Sequence, residues 1–498
     1  MLRFGTAGLR GPLRDGPDGM NVTTVSRATA GLVAWLRDRC LGGGAVVVGR
    51  DARHGSAEFA TATAEIFAAA GFRVTLLPRP LPTPVVAYAV RELGAVAGVQ
   101  ITASHNPATD NGYKVYLDGG AQLIAPADAE IERCIEAVGA PIDRLPITPA
   151  DDDVVRRYLR RVAELPAWIG GPGERANVRI ALTPLHGVGG ELAVEALRAA
   201  GFSDIHVVDE QFAPDPDFPT VAFPNPEEPG ATDLLLATAA RFGADVAIAL
   251  DPDADRCAVG VPRPDGTWRM LRGDETGVLL GDCVLRTAPD GALVATTIVS
   301  SRLLSKLAAA RGGRYAETLT GFKWLARAGD GLVYAYEEAI GHCVDPAAVR
   351  DKDGISAAVL AADLVARLKA AGRDLNDELD DYAVEFGLHA GDQVSLRLAS
   401  SAEAAAVVER LRADPPHEIA GEPVKYTDQL MVRGRMRTDA LIFEGVSSRV
   451  VLRPSGTEPK LKCYLEVVEP VGSRADLPAA RAAARERLSA LRDFCRKL

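Results

Sequence analysis

Short apolar runs alternate with longer amphipathic stretches over the first three quarters of the chain. The runs at 45–49, 95–101 and 245–250 are almost free of charged residues, which is typical of strands covered on both faces of a parallel sheet. The stretches at 56–70 and 83–93 have the length and composition of helices. Strands that alternate with helices in this way predict a doubly wound α/β unit.

The same alternation recurs further along the chain and predicts two more units of this kind. Further strands are expected at 73–77, 178–182, 205–208, 292–299 and 332–336. Further helices are expected at 151–164, 190–200, 231–242, 301–310 and 354–371. Glycine and proline predict a linker at 166–175 and a surface excursion at 212–229.

The pattern changes from about residue 387. Residues 394–398 alternate, 402–411 look helical, 448–452 and 461–467 predict a strand pair, and 477–498 predict a last helix. We therefore predict four domains: three similar doubly wound α/β units and a smaller C-terminal α+β domain. The predicted boundaries are 1–165, 166–272, 273–387 and 388–498.

Composition and charge narrow the classes of function. A net charge of −11 disfavours nucleic acid and anionic membranes as partners, so an anionic substrate requires a local basic site. The seven cysteines form no C-x-x-C pair, which fits free thiols in a reducing compartment. The N-terminus has no apolar signal core, and no apolar run has membrane-spanning length. We expect a cytoplasmic protein.

One candidate nucleophile follows the apolar run at 95–101. The run ends in Thr-Ala-Ser-His-Asn-Pro, and Pro107 cannot extend a central strand. Ser104 therefore lies in a loop at a strand end, where open α/β sheets bind ligands. Serine is a weak nucleophile unless a base, a cation or a covalent group activates it, and Lys114 follows closely. For a serine considered alone, capping of a turn is the favoured alternative.

Three alternating carboxylates follow the run at 245–250, and they are Asp251, Asp253 and Asp255. Their mutual repulsion should raise pKa values. A hard divalent cation removes this problem, and oxygen ligands suit Mg²⁺. The sequence therefore predicts a magnesium site beside Arg256.

Three other interpretations of this acidic loop are less consistent with its residues. A solvated acidic loop is disfavoured by Arg256 and by the apolar strand before it. A calcium-binding EF-hand loop requires Gly at its sixth and Glu at its twelfth position, which here are Arg256 and Pro262. A haloacid-dehalogenase-type phosphotransferase uses an Asp nucleophile in D-x-D-x-[T/V]. It is the serious rival, but its fifth position is Asp255 here.

Two further loops carry side chains suited to a sugar phosphate. Glu337 and Glu338 follow the strand expected at 332–336, and a carboxylate can accept two hydroxyls; a solvated pair is the alternative. The loop 453–460 combines hydroxyls, a glycine amide and two cations, which together predict a phosphate cradle rather than a plain turn. Its residues of interest are Arg453, Ser455, Gly456, Thr457 and Lys460.

The hexapeptide at 102–107, with Gly112-Tyr-Lys114, resembles the active-serine loop of the α-D-phosphohexomutases, which include phosphoglucomutases and phosphomannomutases. Similar motifs recur from Phe4 to about Lys462, nearly the whole chain. The resemblance implies four domains around a central cleft and a phosphoserine at Ser104. It further implies Mg²⁺ held by the three aspartates and a phosphoserine oxygen, and a sugar bisphosphate as activator.

The resemblance also assigns roles to individual residues. The implied metal ligands are Ser104, Asp251, Asp253 and Asp255. The implied catalytic residues are Ser104, Lys114, Arg256, Arg10 and His105. Lys114 would move the hydroxyl proton, for which adjacent cations must lower its pKa. The implied substrate-binding residues are Thr320, Lys323, Glu337, Glu338, Lys352, Arg453, Ser455, Gly456, Thr457 and Lys460, with Lys352 assisting the 453–460 loop.

The expected reaction moves a phosphoryl group between C1 and C6 of a hexose phosphate, glucose or mannose, through a sugar bisphosphate. There is one departure from the family pattern: many of these mutases have Ser two residues after the leading Glu, and here it is Ala339. This form resembles the branch that contains phosphopentomutases, so pentose phosphates stay open. Outside the mutases, the alternatives are a metal-dependent phosphatase with an Asp nucleophile and a non-catalytic sugar-phosphate-binding protein. The sequence leaves monomer and dimer open.

Overall fold

The computed structural model of the chain describes all residues except 1, 3, 6, 7, 118, 171, 172 and 455–459. Four larger sheets and one two-stranded sheet organise these residues. The described sheets follow one another along the chain, so each unit is presented in turn.

The first unit has a six-stranded sheet with helices on both faces. Its strands are β1 (Leu9–Pro12), β2 (Ala45–Arg50), β3 (Arg73–Leu76), β4 (Ala97–Ile101), β5 (Asp110–Leu117) and β6 (Ala121–Gln122). Its helices are α1 (Val22–Asp38), α2 (Ser56–Ala69), α3 (Thr83–Glu92), α4 (Ala127–Glu136) and α5 (Asp153–Trp168). The strand order is β1-β5-β4-β2-β3, with β6 beside β5.

The second unit has five strands in the order β11-β10-β9-β7-β8. They are β7 (Arg179–Thr183), β8 (Asp204–Val207), β9 (Val246–Leu250), β10 (Cys257–Pro262) and β11 (Trp268–Met270). Its helices are α6 (Gly190–Ala199), α7 (Asp209–Phe212) and α8 (Asp233–Phe242).

The third unit has four strands in the order β13-β12-β14-β15. They are β12 (Leu293–Thr297), β13 (Arg314–Thr318), β14 (Leu332–Glu337) and β15 (Gly341–Cys343). Its helices are α9 (Gly273–Leu285), α10 (Leu303–Ala310), α11 (Phe322–Leu325), α12 (Gly354–Ala370) and α13 (Leu375–Phe386).

The fourth unit is an antiparallel sheet in the order β16-β22-β21-β20-β19, covered by two helices. Its strands are β16 (Leu388–Arg397), β17 (Glu418–Ile419), β18 (Glu422–Pro423), β19 (Lys425–Asp428), β20 (Leu441–Glu444), β21 (Ser448–Pro454) and β22 (Lys460–Glu469). The helices are α14 (Ser401–Ala413) and α15 (Leu477–Arg496).

The first three sheets share one topology. Three parallel strands lie side by side in the orders β3-β2-β4, β8-β7-β9 and β13-β12-β14, and the third is followed by an antiparallel neighbour, β5, β10 or β15. The turn after the third parallel strand contains one left-handed residue each time: Ser104 (φ 54°), Ala254 (φ 52°) and Ile340 (φ 53°). The predicted fold class of three similar α/β units and a C-terminal α+β domain is confirmed, and the domain boundaries stay predictions.

One apolar core runs through the first three units. It joins α3 and α5 to the second sheet and to α6, α9 and α12. The helix α12 is buried nearly all round, as expected for a helix enclosed by other elements. The fourth unit has its own core, with Phe443, Leu465 and Leu488, and meets the third unit through a smaller cluster that includes Val299 and Tyr464.

The element predictions are incomplete. The elements that were not predicted include the helices α1, α4, α7, α11 and α13, the strands β1 and β13, and the antiparallel strands β5, β10 and β15. The helix α5 continues to Trp168 through Pro166, where the sequence predicts a linker; proline in the last turn removes only one hydrogen-bond donor there. The remainder of that linker includes residues 171 and 172, which lie outside the described residues.

Candidate active site

Ser104 lies at the centre of the site. Its hydroxyl donates to Asp251 Oδ2 at 3.1 Å and lies 3.2 Å from His105 Nδ1. The side chain of Arg53 fixes the turn by donating to the Ser104 carbonyl at 2.6 Å. Ser104 is 1% exposed and left-handed, a backbone state that costs about 1–2 kcal/mol for a residue with a Cβ. Such strain recurs at functional turns.

The predicted aspartate cluster forms as expected. One carboxylate oxygen from each of Asp251, Asp253 and Asp255 lies within 4.8 Å of the others, and all three residues are buried. Lys114 reaches across from the first unit and donates to Asp253 Oδ2 at 2.6 Å and to Asp255 Oδ2 at 2.9 Å. Thr83, at the start of α3, donates to Asp253 Oδ2 at 2.5 Å. The serine loop and the aspartate loop are therefore joined by direct hydrogen bonds.

The pKa values of Asp251 and Asp253 shift in opposite directions. Burial and then the charges of Asp253 and Asp255 raise the pKa of Asp251 well above its usual value, as predicted for crowded carboxylates. Burial alone would also raise the pKa of Asp253, but the charge and hydrogen bond of Lys114 outweigh burial and lower it. A further cation at the cluster would therefore stabilise the charged form of Asp251.

Lys114 differs from the prediction in its pKa. Burial lowers the pKa of its ammonium, but the charges of Asp253 and Asp255 outweigh burial and raise the pKa above its usual value. The predicted lowering by adjacent cations is wrong because the nearest groups are carboxylates. Burial, with Arg256 and Arg10, lowers the pKa of His105 well below 6.5.

The donor set fits a hard divalent cation. Asp253 Oδ1 and Asp255 Oδ1 are buried and have no hydrogen-bond partner among the described residues. Unpaired buried carboxylate oxygens are costly unless a cation satisfies them. Together with Asp251 and the Ser104 hydroxyl they offer only oxygen ligands, which suits Mg²⁺ better than a softer metal.

Arg256 links the aspartate loop to the third unit. Its Nη1 donates to the Ala339 carbonyl at 2.9 Å, and the Cys257 amide donates to the Ile340 carbonyl at 3.0 Å. Carboxylates of Asp251, Asp255, Glu227 and Glu337 surround the guanidinium at 3.8–4.0 Å. Its Nε has no hydrogen-bond partner among the described residues, so the guanidinium can still donate to an incoming anion.

Of the two predicted sugar-binding glutamates, Glu337 is the last residue of β14 and Glu338 is the first residue of the turn to β15. Glu337 Oε1 is 3.9 Å from Arg256 Nη2. Glu338 Oε2 accepts from Thr297 at 3.1 Å and from Ser300 at 3.3 Å. Burial, then the charges of Glu337 and Asp274, raise the pKa of Glu338 to about 7.

Lys352 lies at the aspartate cluster. Its Nζ is 3.3 Å from Asp255 Oδ2 and 3.5 Å from Asp351 Oδ1. Gly341 makes this approach possible, because a Cβ there would lie 2.4 Å from Lys352 Cδ and 2.9 Å from Glu337 Cγ. These contacts differ from the predicted help to the 453–460 loop.

The opposite side of the site belongs to the fourth unit. Arg453 donates to the Thr320 hydroxyl of the third unit. Ser455, Gly456 and Thr457 lie outside the described residues. Lys323, the remaining predicted contact, has its Nζ 6.0 Å from the ring of Trp324, and it does not line the central cavity among the described residues.

One cavity of about 1240 Å³ collects groups from all four units. Arg10 and His105 line it from the first unit, Arg256 from the second, Glu338 from the third and Lys460 from the fourth. Arg10 also donates to Asn106 Oδ1 at 3.2 Å, next to the serine turn. The predicted central cleft is confirmed.

The predicted surface excursion at 212–229 is mostly exposed, and its last part, residue 223 and residues 225–229, also lines this cavity. Glu227 Oε2 lies 3.8 Å from Arg256 Nη1, and Asp217 Oδ1 lies 2.8 Å from His54 Nε2 of the first unit. The contact with the cavity was not predicted, because proline-rich segments have no periodicity to read. The only signal was the paired Glu227 and Glu228, and Thr83 gave none.

Most of the chain matches the domain models of one enzyme family. The matches are to phosphoglucomutase/phosphomannomutase alpha/beta/alpha domains I, II and III at residues 1–141, 156–266 and 272–384, and to the C-terminal domain at 395–482. The chain belongs to the phosphoglucomutase/phosphomannomutase family. The resemblance predicted from the motifs is confirmed.

Individual members of the phosphoglucomutase/phosphomannomutase family are similar over almost their full lengths. A Haemophilus influenzae protein named probable phosphomannomutase is 43% identical over 90% of this chain and 93% of its own. Human phosphopentomutase is 33% identical over 95% and 86%, respectively. Parafusin, a phosphoglucomutase from Paramecium, has a TM-score of 0.75 over 98% of this chain and 94% of its own at 18% identity, which shows the fold alone.

The described part of this family member contains no helix that combines the length and the apolarity needed to span a bilayer.

Proposed function

We propose that the protein is a phosphosugar mutase that moves a phosphoryl group between C1 and C6 of a glucose or mannose phosphate. The observation that carries the proposal is the 3.1 Å hydrogen bond from the Ser104 hydroxyl to Asp251, next to His105 and Arg256, which line a cavity shared by all four units. A hydroxyl held against a cluster of cation ligands can carry a phosphoryl group. The family membership supports the same reaction class.

The site offers two places for anions. Ser104 and the three aspartates provide one, and Arg453 with Lys460 and the loop between them provides the other. A phosphatase needs only the first. Two places allow a sugar bisphosphate to bind in either direction, so that each of its phosphates can face Ser104 in turn.

In this mechanism, phosphorylated Ser104 transfers its phosphoryl group to a free hydroxyl of the sugar phosphate. The resulting bisphosphate turns over within the cavity and returns its other phosphate to Ser104. A Mg²⁺ ion, held by the three aspartates and the serine oxygen, would neutralise charge on the transferring oxygens. A trace of sugar bisphosphate would prime the serine.

The remaining residues bind, orient and stabilise. Arg256, with its unpaired Nε, and Arg10 donate to the phosphoryl oxygens as charge develops. The Nδ1 atom of His105 lies 3.2 Å from the Ser104 hydroxyl oxygen, where it can exchange a proton with that oxygen. Lys114 supplies positive charge beneath the aspartates.

The sugar is bound between the units. Glu337 and Glu338 accept sugar hydroxyls, while Thr320, Arg453, Ser455, Gly456, Thr457 and Lys460 serve the phosphate that is not being transferred. Lys323 does not line the cavity among the described residues, so its expected substrate contact would require a change of its position. Lys352 keeps its proposed phosphate contact from the aspartate side. Closure over the cavity excludes water, so that transfer is faster than hydrolysis.

The partner in this proposal is a sugar phosphate, without nucleic acid or membrane. The seven cysteines are all unpaired, which supports a cytoplasmic location. The active unit is a monomer or a dimer.

The test is an assay of glucose, mannose and ribose 1-phosphates with Mg²⁺ and a trace of the matching bisphosphate. We expect isomerisation of a hexose phosphate and a phosphoserine mass shift on Ser104. Ser104→Ala should lower kcat by at least about 10³-fold, because no other described hydroxyl contacts the cluster at Asp251.

Each alternative predicts a different result in this assay. Preference for ribose 1-phosphate would make the protein a phosphopentomutase, which the Ala339 substitution and the human relative leave open. Phosphate release that survives in Ser104→Ala would identify an aspartyl phosphatase. Ligand binding without turnover or a mass shift would identify a binding protein.

A further inference from the structure

One neutral side chain of the first unit contacts the aspartate cluster of the second. Thr83 is the first residue of α3 and is fully buried. Its hydroxyl donates to Asp253 Oδ2 at 2.5 Å, and its backbone amide donates to the Asp253 carbonyl oxygen at 2.9 Å. Two hydrogen bonds from one residue therefore fix both the backbone and the carboxylate of Asp253.

Thr83 shares its acceptor atom with Lys114. The Nζ of Lys114 donates to the same Asp253 Oδ2 at 2.6 Å. A carboxylate oxygen has two lone pairs, so these two donors satisfy Oδ2 within the protein. A rotation that exchanged the two oxygens of the carboxylate would break both bonds. Asp253 Oδ1 is therefore the oxygen that this arrangement leaves for a cation.

The position of Thr83 is fixed by the two central strands of the first sheet. Gln100 of β4, the strand that leads to Ser104, is fully buried and donates through Nε2 to the Leu81 carbonyl oxygen at 2.9 Å. The Leu81 amide donates to the carbonyl oxygen of Arg50, the last residue of β2, at 2.9 Å. The start of α3 is thus held rigidly, and so is the hydroxyl that Thr83 presents to Asp253.

The local needs of α3 do not explain a threonine at this position. A hydroxyl at a helix start commonly accepts from a backbone amide of the first turn. The N-cap of α3 is Pro82, and no side chain caps this helix. The Thr83 hydroxyl donates instead to a carboxylate of another unit. Valine has nearly the shape of threonine and would fill the same space, but it could not make this bond.

We propose that Thr83 is a positioning residue for the divalent cation, because it fixes the rotation of the Asp253 carboxylate and keeps Oδ1 for the cation. This inference rests on the proposed function, which requires Mg²⁺ at the aspartate cluster. It deepens that function by naming a residue of the first unit that sets the cation affinity of a cluster in the second.

The test is titration calorimetry of the full-length protein with Mg²⁺ and with Mn²⁺, on samples of equal Ser104 phosphorylation as measured by mass spectrometry. Thr83→Val should raise the Kd of the cation roughly 10- to 100-fold, because the Asp253 carboxylate loses one of the two bonds that fix it. Thr83→Ser keeps the hydroxyl and should retain most of the affinity. If Thr83→Val does not fold, Thr83→Ala and Thr83→Ser give the same comparison, since they differ only in the hydroxyl.

Thr29→Val is the matched control. Thr29 is also fully buried in the first unit, but its hydroxyl donates to the Val25 carbonyl oxygen within α1 at 2.9 Å. This variant should lose stability in denaturant unfolding without cation, yet bind the cation with the Kd of the unmodified protein. If Thr83→Val also keeps that Kd, or if the unmodified protein binds neither cation, the proposal is overturned.

Steady-state kinetics separate this inference from the proposed function. In an active mutase, Thr83→Val should need roughly 10- to 100-fold more Mg²⁺ for half its maximal rate, while kcat at saturating Mg²⁺ recovers. An active mutase whose Thr83→Val variant keeps the normal Mg²⁺ dependence refutes the inference and leaves the function standing. If the unmodified protein isomerises no sugar phosphate, the proposed function fails, and the Kd of the cation still decides the role of Thr83.

Discussion

The first three units and the fourth unit are joined in very different ways. One apolar core passes through the first three, and backbone hydrogen bonds join their functional loops: Thr83 to Asp253 at 2.9 Å and Cys257 to Ile340 at 3.0 Å. The fourth unit has a separate core. Its polar contact with the third unit is centred on Glu466, which accepts from Ser301 at 2.7 Å and from Arg302 Nε at 2.7 Å.

The difference separates two tasks. Phosphoryl transfer needs reacting atoms held in one geometry, and a shared core with interlocked loops provides that. Admission and turnover of a sugar bisphosphate need space that opens and closes. A separately cored unit that is joined through a small apolar cluster and polar contacts suits that task, because small inter-domain interfaces permit relative motion.

The largest expected effects come from substituting one charged residue at the aspartate cluster and one in the fourth unit. Asp251→Asn should lower kcat by about 10²–10³-fold with little change in KM. The substitution removes one charge of the proposed cation site and leaves the proposed phosphate site at Arg453 and Lys460 unchanged. Arg453→Gln should mainly raise KM, by roughly 10- to 100-fold. Steady-state kinetics with the preferred sugar phosphate, with Asp265→Asn as an exposed control, measures both.

The reverse pattern of effects on kcat and KM would contradict the division of tasks between the aspartate cluster and the fourth unit. If Asp251→Asn changes mainly KM, or Arg453→Gln mainly kcat, the transfer and admission tasks are not divided between these two regions.

The second effect concerns the contact at Glu466. Burial raises the pKa of Glu466, but His389 and Arg302 outweigh burial and lower the pKa from 4.5 to about 2. The folded pKa lies below the unfolded value, so this carboxylate stabilises the fold above pH 4.5 and loses its effect as the pH falls towards 2. Glu466→Gln should therefore cost roughly 3 kcal/mol at pH 7.

Denaturant unfolding and hydrogen exchange of β22 measure this loss, with Glu418→Gln as an exposed control. The difference between Glu466→Gln and the unmodified protein should shrink below pH 4.5. A difference that stays constant from pH 7 to pH 3 would show that the charge of Glu466 is not what stabilises the contact.

The smallest expected effect is on thermal stability and concerns Glu338 in the third unit. The pKa of Glu338 is raised from 4.5 to about 7 by burial, Glu337 and Asp274. The folded state then binds the proton more tightly, so stability falls as the pH rises from 4.5 through 7. Glu338→Gln removes this penalty and should raise Tm by about 2–4 °C at pH 8.5, with no gain at pH 4.5.

Thermal unfolding at the two pH values tests this, with Glu228→Gln as the control. The same variant should bind the sugar more weakly, because an amide accepts fewer hydroxyls than a carboxylate. A Tm gain that is equal at both pH values would be incompatible with the raised pKa.

The apolar pattern predicted the parallel strands closely. The run at 45–49 became β2 and the run at 178–182 became β7 with shifts of one residue. Helix α1 escaped prediction because Thr23, Thr24 and Gly31 are weak helix formers. Its packing explains it: a Cβ on Gly31 would lie 2.7 Å from the Ile135 backbone nitrogen, so α1 and α4 touch at that glycine.

Only some residues of the candidate site could be predicted from the sequence. Ser104 and the three aspartates could be predicted because each follows a buried strand, and strand ends meet at one edge of a sheet. Thr83 and Glu227 could not, because their relevance depends on which units touch.

The left-handed turn that recurs in the first three units has a consequence for engineering. One backbone shape presents a hydroxyl at Ser104, a methyl at Ala254 and a branched alkyl group at Ile340. The residues proposed as nucleophile, cation ligands and sugar contacts therefore occupy equivalent places on three similar sheets. We expect that an engineered exchange of side chains at these three positions would leave the same left-handed backbone in each turn.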